Sequence, residues 1–97
     1  MYNYKIFEKG NENILAIADS EIIGKIFEEG MLKLEVKNDF YGTDKCDNKK
    51  IKDLIKGRTI INAVGKNIIK ILEEEELIER KMILFVNGIP HVQIITI

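Results

Sequence analysis

The alternation of apolar and polar positions predicts several β-strands in the first third of the chain. Residues 2–7 alternate apolar with polar side chains, and residues 14–18 form a more apolar run beyond a polar loop. We interpret these two runs as a first hairpin. Residues 31–37 show the cleanest period of two, which predicts a strand with one face in solvent.

The strongest pattern lies at the end of the chain. Two β-rich apolar runs, residues 81–86 and 89–97, flank Asn87-Gly88, the dipeptide most typical of a tight hairpin. Both runs are nearly continuous in apolar residues, which favours the middle of a sheet. The loop has either two residues, Asn87-Gly88, or four, Asn87 to Pro90, and both lengths place the same residues on each face. We favour four, because Pro90 has no backbone N–H to donate to a ladder and belongs in a turn or at an edge.

Side-chain alternation across this hairpin separates two faces. Helices should cover the all-apolar face, which consists of Ile83, Phe85, Val92 and Ile94. The opposite face mixes His91 and Gln93 with large apolar side chains that the remaining helices are too few to cover. A face of this kind needs a partner, a second copy or a fold-back of the chain itself, and a contiguous apolar patch normally marks an interface. Of these we expect a homodimer to bury it. The candidate dimer face consists of Met82, Leu84, Val86, Ile95 and Ile97.

Three segments carry helical patterns. Asp19-Ser20 supplies N-cap oxygens for a first helix that ends at Gly30, with its isoleucines on one face. A second helix ends at Gly57. The third and longest begins at Thr59 and continues to the glutamate run.

In order, the elements are ββαβααββ. This order predicts an α+β fold, a two-layer sandwich with three helices on a mostly antiparallel sheet of about five strands. A chain of 97 residues, 45% hydrophobic and 32% charged, has the size and composition of one globular domain over residues 1–97.

Composition removes several function classes from consideration. No apolar run approaches the roughly 20 residues that a membrane-spanning helix needs, and no signal peptide is evident. We therefore expect a cytoplasmic protein with no membrane partner. Cys46 is the only cysteine, which excludes an internal disulfide and a cysteine-based zinc site. No metal or cofactor motif is present, so we predict neither.

The net charge of −1 conceals a strongly basic segment. Residues 45–70 contain eight basic and two acidic side chains, whereas residues 73–79 contain five glutamates and no base. Four polar side chains of the third predicted helix recur at intervals of four and are candidates for RNA contact: Arg58, Asn62, Lys66 and Lys70. Phe40 and Tyr41 could stack on unpaired bases. The alternative is a set of lysines that only keeps the protein in solution.

The only histidine, His91, is a candidate general base because its ordinary pKa lies near neutrality. The alternative is a half-buried side chain that is hydrogen-bonded to its surroundings, because one histidine without a partner is not a catalytic constellation. Lys25 follows Glu21 by four residues, and the pair is typical of an exposed ion pair on a helix. The candidate ligand or partner surface consists of His91, Gln93, Pro90, Tyr41 and Lys25.

Several stretches in sequence order carry a family resemblance. They are the run from Asp19 to Gly30, Leu34-Glu35-Val36, Phe40-Tyr41-Gly42, the run from Asn62 to Lys66, and the run from Gly88 to Gln93. Together they resemble the archaeal family known as domain of unknown function 424. The resemblance implies a small two-layer α/β domain in an archaeal cytoplasm, and it supplies no catalytic residue.

The sequence therefore leaves the function unknown and favours a small non-catalytic binding module, an accessory of archaeal RNA or translation machinery. One alternative is a small enzyme with a site around His91, Gln93 and Lys25. Another is a structural subunit of a homodimer. A continuous positive face would favour RNA, a deep polar pocket at His91 would favour the enzyme, and a flat apolar sheet face would favour the dimer.

Overall fold

Eight strands and three helices make up residues 1–96, the part of the chain that the structure, a computed structural model, describes. The strands are β1 Tyr2–Lys9, β2 Glu12–Asp19, β3 Ile26–Glu29, β4 Leu32–Glu35, β5 Asp44–Cys46, β6 Ile60–Val64, β7 Leu84–Val86 and β8 Ile89–Ile95. The helices are α1 Asn38–Tyr41, α2 Asn48–Leu54 and α3 Lys66–Glu74, and short 3-10 turns span Ser20–Ile22 and Arg80–Met82.

Six strands form one mixed sheet in the order β5-β1-β2-β6-β8-β7, and β3 pairs with β4 in a separate hairpin. Every neighbouring pair in the large sheet is antiparallel except β2 and β6, which run parallel. The predicted α+β class is confirmed. The element order is ββββαβαβαββ rather than ββαβααββ. Two predicted helical segments contain strands, and residues 38–46 add the short helix α1 and the strand β5.

The first predicted helix is wrong. Its segment makes one 3-10 turn at Ser20–Ile22 and then enters the β3–β4 hairpin. Two glycines account for the difference, because Gly24 (φ 86°) and Gly30 (φ 59°) occupy left-handed conformations that end a helix. The remaining residues are rich in isoleucine, whose branched side chain suits a strand.

The third predicted helix is wrong in its first half. Residues 60–64 form β6 in the middle of the sheet, and the helix begins only after Gly65. Gly65 has φ 123° and ψ 150°, so it separates strand from helix. The apolar residues that looked like one helical stripe therefore belong to two elements. The second predicted helix is confirmed as α2, where the Asp47 carboxylate accepts a hydrogen bond from the Lys50 N–H.

Helices α2 and α3 cover one face of the sheet, which we call the helix face. Leu15, Ile17, Ile61 and Val92 are buried beneath them, and Ile83 and Ile94 pack against this core. The prediction that helices cover Val92, Ile94 and Ile83 is confirmed. Phe85 lies at the edge of this face.

The β3–β4 hairpin, the Ser20–Ile22 turn and α1 cover part of the opposite face, which we call the second face. Their core contains Ala16, Ala18, Val36, Tyr41 and Val64. The pattern of apolar residues predicts that a homodimer covers this face, but much of the cover comes from the chain itself. Among the described residues, no helix is long and apolar enough to span a membrane.

The final hairpin turns on two residues, so the predicted four-residue loop is wrong. Asn87 (φ 49°) and Gly88 (φ 79°) both have positive φ, as a type I′ turn requires. Pro90 lies inside β8 opposite Phe85 of the edge strand β7. Its carbonyl accepts a hydrogen bond from Gly65 N at 3.0 Å, where β6 has ended, so the missing N–H of Pro90 interrupts no ladder.

Candidate functional site

Three polar side chains form a hydrogen-bonded network on the second face. Asn62 lies on β6, and its Oδ1 accepts from the hydroxyl of Tyr41 at 3.1 Å. The same oxygen lies 3.0 Å from Nε2 of His91, on the neighbouring strand β8. Because Oδ1 is an acceptor, this arrangement places the imidazole proton on Nε2. The network therefore joins Tyr41 and His91, two residues of the predicted ligand surface, to Asn62, a predicted RNA contact.

Burial favours the neutral form of both titratable groups in this network. Desolvation raises the pKa of the Tyr41 hydroxyl to about 12, so this group remains a hydrogen-bond donor over the physiological range. Desolvation also lowers the pKa of His91 below its ordinary value, which favours the neutral imidazole. The network therefore consists of neutral groups at neutral pH, and it holds the Asn62 amide in one orientation.

A groove on the second face begins beside Asn62. It has a volume of about 620 Å³, and we call it the sheet-face groove. Its lining consists of Phe7, Glu8, Lys9, Ile14, Phe40, Ile60, Asn62 and Gln93. Gln93 is exposed and lies opposite Asn62 in the β6–β8 pair. Phe7 and Phe40 stack with their ring centroids 5.6 Å apart.

The five residues of the predicted ligand surface do not form one site. Tyr41, His91 and Gln93 lie on the second face, whereas Pro90 is buried and lines a groove on the helix face. Lys25 is exposed beyond the end of β2. Tyr41 is only 4% exposed, so the prediction that it stacks on a base is wrong.

The predicted basic stripe also breaks apart. Arg58 precedes β6 and is tied to the protein itself, because its Nη1 donates to Asn13 Oδ1 at 2.7 Å and its Nε donates to the Leu54 carbonyl. Asn62 lies on β6, where its side chain faces away from α2 and α3 and contacts Tyr41 of α1. Lys66 and Lys70 alone lie on α3, where both are exposed. The prediction of four residues on one helical stripe is therefore wrong for Arg58 and Asn62.

Lys66 and Lys70 reach instead into a groove between α3 and the final hairpin, which we call the α3–hairpin groove. It has a volume of about 500 Å³. Its polar lining is Lys66, Lys70, Glu73 and Arg80, and its other lining residues are Ile69, Ile83, Phe85, Gly88 and Pro90. The sequence analysis did not identify Arg80 or Phe85 as site residues. No local signal marks them, because only the tertiary packing of α3 against β8 and the contact between Arg80 and Glu73 bring them beside the two lysines.

A long-range cap fixes the start of α3 and thereby the position of Lys66. The carboxylate of Asp19, at the end of β2, accepts from the backbone N–H groups of Asn67 and Ile68, both at 2.9 Å. Asp19 is only 2% exposed. Burial raises the pKa of its carboxyl group, and the two backbone hydrogen bonds act in the opposite direction. The sequence analysis assigned Asp19 as a cap, but to a helix that does not form.

The candidate dimer face is smaller than the sequence predicted. Val86 is buried, at 2% exposure, and belongs to the part of the second face near the β3–β4 hairpin. Met82 lies in the Arg80–Met82 turn, while Leu84 and Ile95 remain 48% and 63% exposed. Ile97 lies outside the described residues. Homodimerisation stays a prediction, with a smaller apolar surface available to it.

No cluster for a metal ion is evident among the described residues, because no group of three or more His, Cys, Asp or Glu side chains comes together there. Cys46 is buried under α2, and desolvation raises the pKa of its thiol. An inert structural cysteine fits this position.

Comparison with known proteins gives a family and a fold. Residues 7–97 match the family described as "Protein of unknown function (DUF424)". The crystal structure of an uncharacterized conserved protein from Methanopyrus kandleri superposes with a TM-score of 0.77 at 22% identity, covering 96% of this chain and 89% of that one. At this identity the likeness shows the fold alone. No curated protein matches the chain.

Proposed function

Because this chain belongs to the DUF424 family of proteins of unknown function, we propose a function from its own surfaces: it is a non-catalytic module that binds single-stranded RNA. The site is the α3–hairpin groove. We propose further that the protein works as an accessory of archaeal RNA or translation machinery in the cytoplasm. The observation that carries the proposal is the meeting of three cationic side chains and a half-exposed aromatic ring in one groove.

The charge of the groove favours a polyanion. Lys66 and Lys70 form no ion pair with the described residues, and Arg80 makes one contact with Glu73, from Nε to the carboxylate at 3.7 Å. Three cations therefore face one carboxylate. Lys66 and Lys70 are one helical turn apart, about 6 Å along the axis, so each can approach a different phosphate of one strand.

The aromatic ring favours unpaired nucleotides over other polyanions. Phe85 is 44% exposed at the edge of the sheet, and Pro90 lies opposite it in β8. A base that stacks on such a ring gains about 1–3 kcal/mol, and every base can do so because each has a flat π-face. A run of Asp or Glu side chains has no corresponding flat group. Duplex RNA keeps its bases stacked internally and presents none to Phe85.

A binding titration with a fluorescent single-stranded oligonucleotide tests the proposal. Lys66→Gln with Lys70→Gln should weaken binding strongly at low salt, and Phe85→Ala should weaken it by an amount within the stacking range of about 1–3 kcal/mol. The matched control is Lys33→Gln with Lys37→Gln, which removes the same charge from the β4 side of the molecule. This control should change affinity little, because both lysines pair with Glu35 at an exposed site.

Two results would contradict the proposal. The first is equal weakening by the groove variant and the control, which would mean that only the total charge matters. The second is displacement of RNA by polyglutamate of the same length at equal concentration. In that case the groove would select for charge alone, and an acidic protein would be the partner.

A further inference from the structure

The sheet-face groove has the size and shape of a small-molecule site. Its volume of about 620 Å³ falls within the range of about 300–1,000 Å³ that ligand pockets occupy. Its floor is formed by Ile14 and Ile60, which are direct neighbours in the parallel β2–β6 pair. The rings of Phe7 and Phe40 line it with an angle of 26° between their planes. Phe40 is 38% exposed although it is a large apolar side chain. These surfaces suit a flat ligand.

The polar groups of the groove are amides, and one of them is held in a fixed orientation. Tyr41 and His91 both lie within hydrogen-bond distance of Oδ1 of Asn62. Within the described residues the Nδ2 of Asn62 makes no hydrogen bond, so the amide donor is the group left for a ligand. Gln93, its cross-strand partner, adds an exposed amide with both a donor and an acceptor. The groove thus offers adjacent donors and an acceptor next to an apolar floor.

The charges at the groove do not select an ionic ligand. Glu8 and Lys9 are its only charged lining residues, and their formal charges cancel. This distinguishes the sheet-face groove from the α3–hairpin groove, which has an excess of cations and lies on the helix face. An uncharged ligand with hydrogen-bonding groups on one edge and two flat faces fits both the amides and the rings.

We propose that the sheet-face groove binds an uncharged planar heterocycle with a nucleobase-like edge, held by Asn62 and Gln93 and stacked beside Phe40. Nucleobases present adjacent donors and acceptors on their Watson–Crick and Hoogsteen edges, which amide side chains read in pairs. The ligand is either a free nucleoside or one unpaired base of an RNA. The site does not depend on the α3–hairpin groove, because it uses different residues on the other face of the sheet.

Two-dimensional amide NMR with added nucleosides tests this proposal. We expect saturating shifts at Ile14, Ile60, Asn62 and Gln93 with at least one nucleoside, and none with ribose. Gln93→Ala or Phe40→Ala should weaken binding about tenfold, a factor within the stacking range. Both residues are exposed, so the variants should fold. Lys33→Gln, at an exposed lysine of β4 outside the lining of this groove, is the control and should bind as the wild type does.

The source of the ligand follows from comparing two probes. Shifts from nucleosides support a free ligand, whereas shifts that appear only with a short oligonucleotide and are lost in Gln93→Ala support an unpaired base. The shifts from either probe should persist in the double variant that carries Lys66→Gln and Lys70→Gln. This result distinguishes binding at the sheet-face groove from RNA binding at the α3–hairpin groove. The proposal is overturned if neither probe gives saturating shifts, or if the shifts are unchanged in both Gln93→Ala and Phe40→Ala. It is also overturned if the same residues shift with protein concentration alone, because a second copy would then occupy the groove.

Discussion

At the scale of single residues, Asp19 and Gly65 form one unit that holds α3 against the sheet. The Asp19 carboxylate sits where a side chain at residue 65 would stand, and a Cβ built on Gly65 would overlap its carboxyl carbon. The absence of a side chain at Gly65 therefore lets the carboxylate reach the N-terminus of α3. Because Lys66 is the first residue of that helix, the same unit orients the cationic groove.

Replacing Gly65 with alanine should destabilise the protein more than a matched replacement at Gly24. Both glycines have positive φ, at 123° and 86°, so each variant bears backbone strain of about 1–3 kcal/mol. A Cβ at Gly24 meets nothing within 4 Å, whereas one at Gly65 also displaces the Asp19 cap. Urea unfolding of both variants measures the difference. Equal losses of stability would show that displacing Asp19 adds nothing to the backbone strain that both variants share.

The single histidine gives a direct readout of the polar network. We expect the pKa of His91 to lie below its ordinary value of about 6.5, because burial disfavours the imidazolium. A depressed pKa means that the unfolded chain binds the proton more readily. The contribution of His91 to stability should therefore be fully present above about pH 6.5 and be lost as the pH drops through its lower, folded-state pKa. NMR titration of the only imidazole in the chain measures this, and a pKa above 6.5 would contradict the network.

At the scale of elements, turn chemistry was the most reliable sequence signal. Asn87-Gly88 predicted the final hairpin, and the structure closes that hairpin with a type I′ turn at the same two residues. The predicted four-residue loop is wrong, because it assumes that Pro90 cannot lie in a central strand. Its position is acceptable because β6 ends at Val64, opposite His91, so that Pro90 lies one register step beyond the end of that strand. No single-sequence pattern reports where a neighbouring strand ends.

Periodicity failed where short elements meet at glycines. The residues from Ile60 to Leu72 give an acceptable helical stripe, yet β6 and α3 share it. Ile61 of β6 joins Ile68 and Leu72 of α3 in the core of the helix face, whereas Val64 belongs to the core of the second face. Apolar spacing alone cannot separate one helix from a strand and a helix under the same core. The positive φ of Gly65 ends the strand before the helix begins, and the spacing of apolar residues does not report it.

The β3–β4 hairpin acts as the cover of the second face. Val36 follows β4 and is 1% exposed within the core of that face. Val36→Ala should therefore lower the free energy of unfolding by about 1.5–3 kcal/mol, the value of a fully buried side chain of this kind. The control is Ile26→Ala on β3, which should change stability by about 0.5 kcal/mol or less because Ile26 is 54% exposed. Similar losses in both variants would mean that the hairpin is not packed as described.

At the scale of the whole molecule, the sheet separates two surfaces of different chemistry. The helix face presents the cationic groove, and the second face presents a neutral groove with amides and aromatic rings. The sequence predicted parts of both sites, namely Lys66 and Lys70 on one side and His91 and Gln93 on the other. It could not group them correctly, because the grouping depends on the parallel pairing of β2 with β6, two strands separated by 40 residues of intervening chain.

The protein as a whole carries a net charge of −1, so affinity for RNA must come from the groove and not from general attraction. This makes the salt dependence of binding diagnostic of the number of cations involved. Each phosphate neutralised on a single strand contributes about −0.7 to the slope of log Kobs against log salt concentration. The contribution of each cation in the groove can therefore be counted.

The most direct test of RNA binding at the α3–hairpin groove is this slope, measured for the wild type and for Lys66→Gln with Lys70→Gln. With Lys66, Lys70 and Arg80 engaged, we predict a slope of about −2 for the wild type and about −0.7 for the variant. A wild-type slope near zero, a slope that the variant leaves unchanged, or an absence of binding at low salt would contradict the account.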